Sequence, residues 1–140
     1  MIMYVDTSSV MKLYVEEEGF QQTRELVAQV QILTTSIITY VEMRSALAHK
    51  YRTGEVDDET YQAIGEDFER DWSLYASIPV DHQLVGLAGL MAERHALRAL
   101  DSIHLASALG LAHQTSEPLV FRSADANLLT AASRIGLATS

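Results

Sequence analysis

Residues 2–9 read Ile2-Met3-Tyr4-Val5-Asp6-Thr7-Ser8-Ser9, four apolar residues that end on an acid and three hydroxyls. An apolar run this short, bounded by capping residues, describes a buried strand that turns directly into a helix, because Asp, Thr and Ser side chains accept the amide hydrogens left free at a helix start. Outward from this stretch the pattern alternates. A helix is expected over residues 9–15 and another over 19–30, where Phe20, Leu26, Val27 and Val30 keep helical spacing, and residues 32–35 read as a second short buried strand. Residues 37–51 are helical in pattern, and Thr53-Gly54-Glu55 ends them. The acids at 57–59 suit the first turn of a helix reaching residue 75, whose stripe of Tyr61, Ile64, Phe68, Trp72 and Tyr75 reads as core packing. Residues 77–80 form a third strand, Asp81 caps a helix to residue 95, and residues 97–100 connect to a helix opened by Asp101 and running to 113. Residues 118–121 make a fourth strand, and Asp125 caps a last helix that Gly136 stops. Short buried strands alternating with helices predict an α/β fold with a mainly parallel sheet covered on both faces.

Bulk properties narrow the class. A chain of 140 residues, 48% of them apolar and two of them proline, suits a single domain over residues 1–140 with one sizeable core. The absence of cysteine excludes disulfides and thiolate zinc sites and fits a reducing compartment, so a cytoplasmic protein is expected. The N-terminus carries no basic segment, and its apolar run is far shorter than the roughly 7–15 residues of a signal-peptide core. No window approaches the roughly 20 uninterrupted apolar residues that a bilayer requires, so no membrane association is expected. The net charge of −9 argues against sequence-independent coating of nucleic acid. It remains compatible with a nuclease that collects acids around divalent cations, and it would suit a basic protein partner.

The chemistry concentrates in four acids. Asp6 and Asp125 each follow a predicted strand at its carboxyl end, where open parallel sheets place their ligand crevice. Asp6, Asp101 and Asp125 also stand near helix starts, so capping alone would account for any one of them. Glu42 interrupts a face of small and apolar residues, beside Val41 and Ser45 and a turn from Ile38 and Ala46. A carboxylate there is costly unless it is paired or bound to a cation. Arg44 lies only two positions away and points elsewhere on the helix. Asp101 heads a helical face that continues through Leu105, Ala108 and Ala112. Carboxylates gathered within a few ångströms repel one another, and a divalent cation relieves the repulsion. Oxygen donors without cysteine or paired histidines favour Mg²⁺ or Mn²⁺. Such ions polarise a phosphodiester, lower the pKa of water and stabilise a leaving oxygen.

Four segments together resemble the motifs of PIN domains, and most closely those of the VapC-type toxins of toxin–antitoxin pairs. They are Tyr4-Val5-Asp6-Thr7-Ser8-Ser9-Val10-Met11-Lys12-Leu13-Tyr14, Val41-Glu42-Met43-Arg44-Ser45-Ala46-Leu47, Leu100-Asp101-Ser102-Ile103-His104-Leu105-Ala106-Ser107-Ala108 and Ser123-Ala124-Asp125-Ala126-Asn127-Leu128-Leu129-Thr130-Ala131-Ala132. Their order and spacing match from end to end. The resemblance implies a three-layer α/β/α sandwich around a mainly parallel sheet of four to five strands. It also implies Mg²⁺- or Mn²⁺-dependent cleavage of RNA, frequent homodimers and inhibition by a cognate antitoxin. By matching position, Asp6, Glu42, Asp101 and Asp125 correspond to the family's acidic quartet. Its first and third members anchor the principal metal, the second helps to hold or orient the other metal or its waters, and the fourth varies most. The departure is at the end: relatives often continue past the final glycine into another short strand, whereas Gly136-Leu137-Ala138-Thr139-Ser140 closes this sequence, so that strand is expected to be vestigial or missing.

Around the quartet, Thr7 and Ser8 are candidates to hydrogen-bond a water or the scissile phosphate, or else to cap the first helix. Arg98 can meet substrate phosphate or be an exposed rim arginine; Lys12, Arg44 and Arg122 rank behind it. His104 reads as a packed, hydrogen-bonded side chain, and the other histidines share no metal-binding spacing. A phosphatase with an aspartyl nucleophile wants a second Asp where Ser8 stands, and a receiver domain wants adjacent acids near its N-terminus. Two readings remain beside the toxin: a PIN nuclease of RNA maturation without an antitoxin, and a non-catalytic PIN domain binding RNA or protein. Retention of all four acids favours an enzyme, and compactness favours the toxin.

Overall fold

The computed structural model describes residues 1–140. Strand β1 (Ile2–Val5) is buried at every position and occupies the middle of a five-stranded sheet. Its side chains alternate between two cores. Ile2 and Tyr4 join Met91, Leu105, Phe121 and Leu128 on one face, while Met3 and Val5 join Val10, Met43, Phe68 and Tyr75 on the other. Burial on both faces explains why the strand is an unbroken apolar run without polar alternation.

The chain continues through α1 (Thr7–Met11), α2 (Phe20–Val27), β2 (Ile32–Ser36), α3 (Thr39–Arg52) and α4 (Asp58–Asp71) to β3 (Ala76–Ile78). It then forms α5 (His82–His95), α6 (Ala99–Gln114), β4 (Leu119–Arg122), α7 (Ala126–Arg134) and β5 (Ala138–Thr139). The strand order is β3-β2-β1-β4-β5, and every neighbouring pair is parallel. Residues of α1, α3 and α4 pack with Met3 and Val5, and residues of α5, α6 and α7 pack with Ile2 and Tyr4, giving three layers, α/β/α. The stripe that runs from α4 on to Tyr75 belongs to the first of these helical layers: Ile64, Phe68 and Tyr75 are buried, Trp72 stacks on Tyr40 and Tyr61 stacks on Tyr51. No helix is long and apolar enough to cross a membrane.

Several boundaries differ from the sequence-based expectation. Helix α1 starts at Thr7 and not at residue 9, because Asp6 is the capping residue and accepts the amide of Ser9. Helix α2 is shorter than residues 19–30 and ends at Val27. Helix α4 ends at Asp71; a 3-10 turn, Trp72–Leu74, follows, and Tyr75 takes extended backbone that leads into β3. Strand β3 stops at Ile78 because Pro79 offers no amide to the ladder. Helix α6 opens at Ala99 with Arg98 extended before it, so Asp101 lies inside the first turn and caps nothing. The final strand is vestigial, one of the two outcomes expected: the two residues of β5 pair with Val120 and Phe121 of β4.

Gly136 takes a φ of 90° just beyond α7, as its place at a helix stop requires. The corresponding turn after α5 is made by Ala96 at a φ of 51°, the one non-glycine residue with positive φ. A left-handed alanine is disfavoured by about 1 kcal/mol through its Cβ. Ala96→Gly is therefore expected to stabilise the fold by about 0.5–1 kcal/mol, a gain read as a higher urea midpoint at unchanged m-value.

Candidate functional site

The strand order reverses direction at β1: β2 and β3 lie to one side, β4 and β5 to the other. The crevice beyond the carboxyl ends of β1 and β4 is thus the switch point at which α/β sheets bind ligands. An open cavity of about 420 Å³ occupies it, and Asp6, Glu42, Asp101 and Asp125 all line it. The remaining lining comes from Thr7, Ser8, Arg98, His104 and Ala124.

Each acid is held differently. Asp6 is buried, and its Oδ1 accepts hydrogen bonds from the Ser9 amide (3.1 Å) and the Ser8 hydroxyl (2.7 Å). Its Oδ2 accepts one from the Ser123 hydroxyl (2.6 Å), which arrives from the loop after β4. Ser8 and Ser123 are in turn fixed by the amides of Ala124 and Asp125, each at 3.0 Å. Asp125 caps α7: its Oδ1 accepts from the amides of Asn127 (2.8 Å) and Leu128 (3.2 Å).

Glu42 projects from the start of α3. Its Oε1 accepts hydrogen bonds from the Thr7 hydroxyl (2.6 Å) and from His104 Nε2 (2.8 Å). Burial works to raise its pKa, but the bonds from His104 and Thr7 and the nearby charges outweigh burial and leave it below the ordinary glutamate value. The weak alternative of a pair with Arg44 is excluded, since Arg44 bonds Glu69 instead. Asp101 is met by Arg98, whose Nε donates to Oδ2 at 2.8 Å while Nη2 reaches Asp125 at 3.5 Å. The Arg98 side chain is 80% exposed, so this cation bridges two acids from the solvent side.

Of the second-rank basic residues, none lines the cavity. Lys12 bonds the Glu18 carbonyl and pairs with Glu17. Arg122 is buried and donates to the hydroxyls of Thr23 and Ser140. Thr7 and Ser8 serve Glu42 and Asp6 respectively; neither is the cap of α1.

Sequence reasoning does not single out Ser123 or Tyr4; it reads His104 as a packed, hydrogen-bonded side chain, which it is, without naming its partners Tyr4 and Glu42. Ser123 precedes Asp125 by two residues, but its partner Asp6 lies 117 positions away, beyond any local pattern. His104 is one helical turn after Asp101, which was the available signal for its approach to the same cavity.

As the side chains stand, no three of the acids converge closely enough to hold one cation among them. The donor set nevertheless fits a hard divalent ion. Four carboxylates share one solvent-open cavity, and the charge between Asp101 and Asp125 is balanced only by an exposed arginine that an ion could displace.

The sequence pattern described as PIN domain matches residues 3–133. The chain is 30% identical over 110 residues to "Ribonuclease VapC45" of Mycobacterium tuberculosis, an alignment covering 79% of this chain and 76% of that protein. Among solved structures it is similar to FitAcB from Neisseria gonorrhoeae, with a TM-score of 0.71 at 19% identity, covering 99% of this chain and 96% of that one. It is also similar to VapC20 of Mycobacterium tuberculosis, a sarcin-ricin loop cleaving toxin, with a TM-score of 0.68 at 16% identity over 96% and 95% of the two chains.

A pH prediction follows from Glu42. A carboxyl whose folded pKa is lowered adds stability above its unfolded value, about 4.3, and that contribution disappears as pH falls through the folded value. In EDTA, the wild-type protein should exceed Glu42→Gln in urea stability by about 1 kcal/mol near neutral pH, and the gap should close on acidification. A gap that stayed constant down to about pH 3 would show that the ionised form is not the one held.

Proposed function

The chain belongs to the PIN domain family, and from that premise we propose that it is a divalent-metal-dependent endoribonuclease acting as the toxin of a toxin–antitoxin pair. The observation that carries this reading is the convergence of Asp6, Glu42, Asp101 and Asp125, drawn from four separate segments, on one cavity at the switch point of the sheet. A stability requirement alone does not collect four acids in one place, since like charges raise one another's cost. The family membership and the relatives named as ribonuclease and toxin support RNA as the substrate.

The four carboxylates would hold Mg²⁺ or Mn²⁺, with Asp6 and Asp101 as the principal ligands. When bound, the ion supplies Lewis-acid polarisation of the phosphodiester and a lowered pKa for the attacking water. The protein's own residues do the rest. Ser8, Ser9 and Ser123 fix the Asp6 carboxylate, so that its position does not reorganise during the reaction. Thr7 does the same for Glu42. Arg98 is the only lysine or arginine lining the cavity, and it is the side chain placed to contact substrate phosphate once an ion takes over its acids. The chain's charge of −9 otherwise repels RNA, so binding depends on this local arrangement and on the ion. The same surface charge favours a partner with basic contacts, and a cognate antitoxin is the partner this reading assigns.

Purified protein is expected to cleave RNA with Mg²⁺ or Mn²⁺ and to stop on addition of EDTA. Asp6→Asn should lower kcat at least about a hundredfold, the scale of losing about 3 kcal/mol of transition-state stabilisation, with an unchanged circular dichroism spectrum. Cleavage by Asp6→Asn at the wild-type rate would remove Asp6 from the site. Expression without a partner should arrest growth, with co-expression of the protein encoded by an adjacent reading frame restoring it; unimpaired growth at high expression would count against the toxin assignment.

A further inference from the structure

Behind Glu42 lies a chain of buried polar groups that neither ion binding nor substrate contact accounts for. His104 is 2% exposed and sits on α6 between two elements far apart in sequence. Its Nε2 meets Glu42 Oε1 at 2.8 Å, and its Nδ1 meets the Tyr4 hydroxyl at 2.8 Å. Tyr4 is fully buried on β1, stacked on Phe121 at 5.5 Å between ring centroids and edge-on to the His104 ring at 5.9 Å. An ionised carboxylate only accepts hydrogen bonds, so the imidazole proton belongs on Nε2; Nδ1 is then an acceptor, and the Tyr4 hydroxyl donates to it. Each group in the series has the one hydrogen-bonding role its neighbour requires.

This matters because an interior pair is tolerated only when it is completed. A leucine would fill the place of His104 in the apolar layer with no polar atoms to satisfy, whereas a buried imidazole, like a tyrosine hydroxyl at the centre of the sheet, costs free energy unless it is bonded. Together they run a rigid support from the middle of β1, two residues before Asp6, across α6 to the second acid of the cavity on α3. Asp6 and Glu42 are thereby referenced to the same strand. Resting on the ribonuclease reading above, we propose that Tyr4 and His104 are positioning residues, which hold the Glu42 carboxylate in one orientation by a directed donor series Tyr4 hydroxyl, His104 and Glu42.

Three measurements test this. In wild-type protein, two-bond ¹H–¹⁵N NMR should show His104 protonated at Nε2, and Tyr4→Phe should release it to a mixture of tautomers. His104→Leu, close in volume but without a donor, should weaken Mn²⁺ affinity by about tenfold to a hundredfold in calorimetry and lower kcat by a similar factor with little change in KM. His104→Gln, whose amide nitrogen takes the place of Nε2, should recover part of both losses, which a purely space-filling role would not allow. The inference is overturned by an Nδ1-protonated wild-type ring, or by a folded His104→Leu variant with wild-type kcat and Mn²⁺ affinity. It is equally overturned if His104→Leu unfolds and His104→Gln folds without recovering either property. If the wild-type protein binds Mn²⁺ but cuts no RNA, the ribonuclease reading fails while the affinity and tautomer results still decide this one. If it does neither, the tautomer decides alone.

Discussion

The structure turns on a buried carboxylate at the end of its central strand. Asp6 is 4% exposed, and an acid so placed is tolerated only when its oxygens are bonded. Its three donors come from two places: Ser8 and Ser9 in the first turn of α1, and Ser123 in the loop after β4. The bond from Ser123 joins the ends of β1 and β4, and the amides of Ala124 and Asp125 then bond Ser8 and Ser123 in turn. The crevice between the two strands is therefore a bonded loop pair and not a gap left by packing. Any ligand that enters meets walls already fixed by the need to satisfy Asp6.

The cavity has two halves with different character. Asp6 and Glu42 are tied to hydroxyls, an amide and an imidazole that are themselves mostly buried, and their partners have no reason to move. Asp101 and Asp125 share an arginine that stands largely in water, where an ion pair contributes little to stability. That weakness is useful to a cation site. On the proposed reading, the rigid half would set where an ion is held, and Arg98 would yield Asp101 and Asp125 to it. The present separation of the acids and their fitness as a donor set are thus consistent with each other.

What was legible in the sequence was whatever a local pattern controls. The apolar run of residues 2–5 led to the central strand, and the acids at 57 and 81 led to helix starts that their side chains do cap. The stripe on α4 pointed to its buried face. Where the reading slipped, a neighbouring group had decided the matter. The pattern places Asp101 at the opening of α6, yet Ala99 and Leu100 form the helix ahead of it and Arg98 occupies the capping position without a side-chain bond. An aspartate suits the first turn as well as the cap, so its mere presence cannot fix the register. The partners of Glu42 were invisible for another reason: Thr7 and His104 lie 35 and 62 positions away, and only the packing of α1, α3 and α6 around β1 brings them together. Similarly, β5 has two residues and owes its existence to the exposed edge of β4, not to any strand signal of its own.

Capping and ligand binding are compatible roles for Asp6 and Asp125, whose side chains do cap α1 and α7. A capping carboxylate gives one oxygen to the helix and has a second to place. In Asp125, Oδ1 takes both amides at the start of α7 while Oδ2 faces Arg98 across the cavity. In Asp6, Oδ1 serves α1 while Oδ2 turns to the β4 loop. Helix starts that follow parallel strands all open on the same edge of the sheet, so their caps are brought together there by topology. The residue type that best begins a helix is also an oxygen donor for a hard cation, and its cap bond orients the carboxylate in advance. At such positions the fold builds much of the site simply by starting its helices correctly, and what remains to be supplied is an acid such as Glu42, which caps nothing and needs a support of its own.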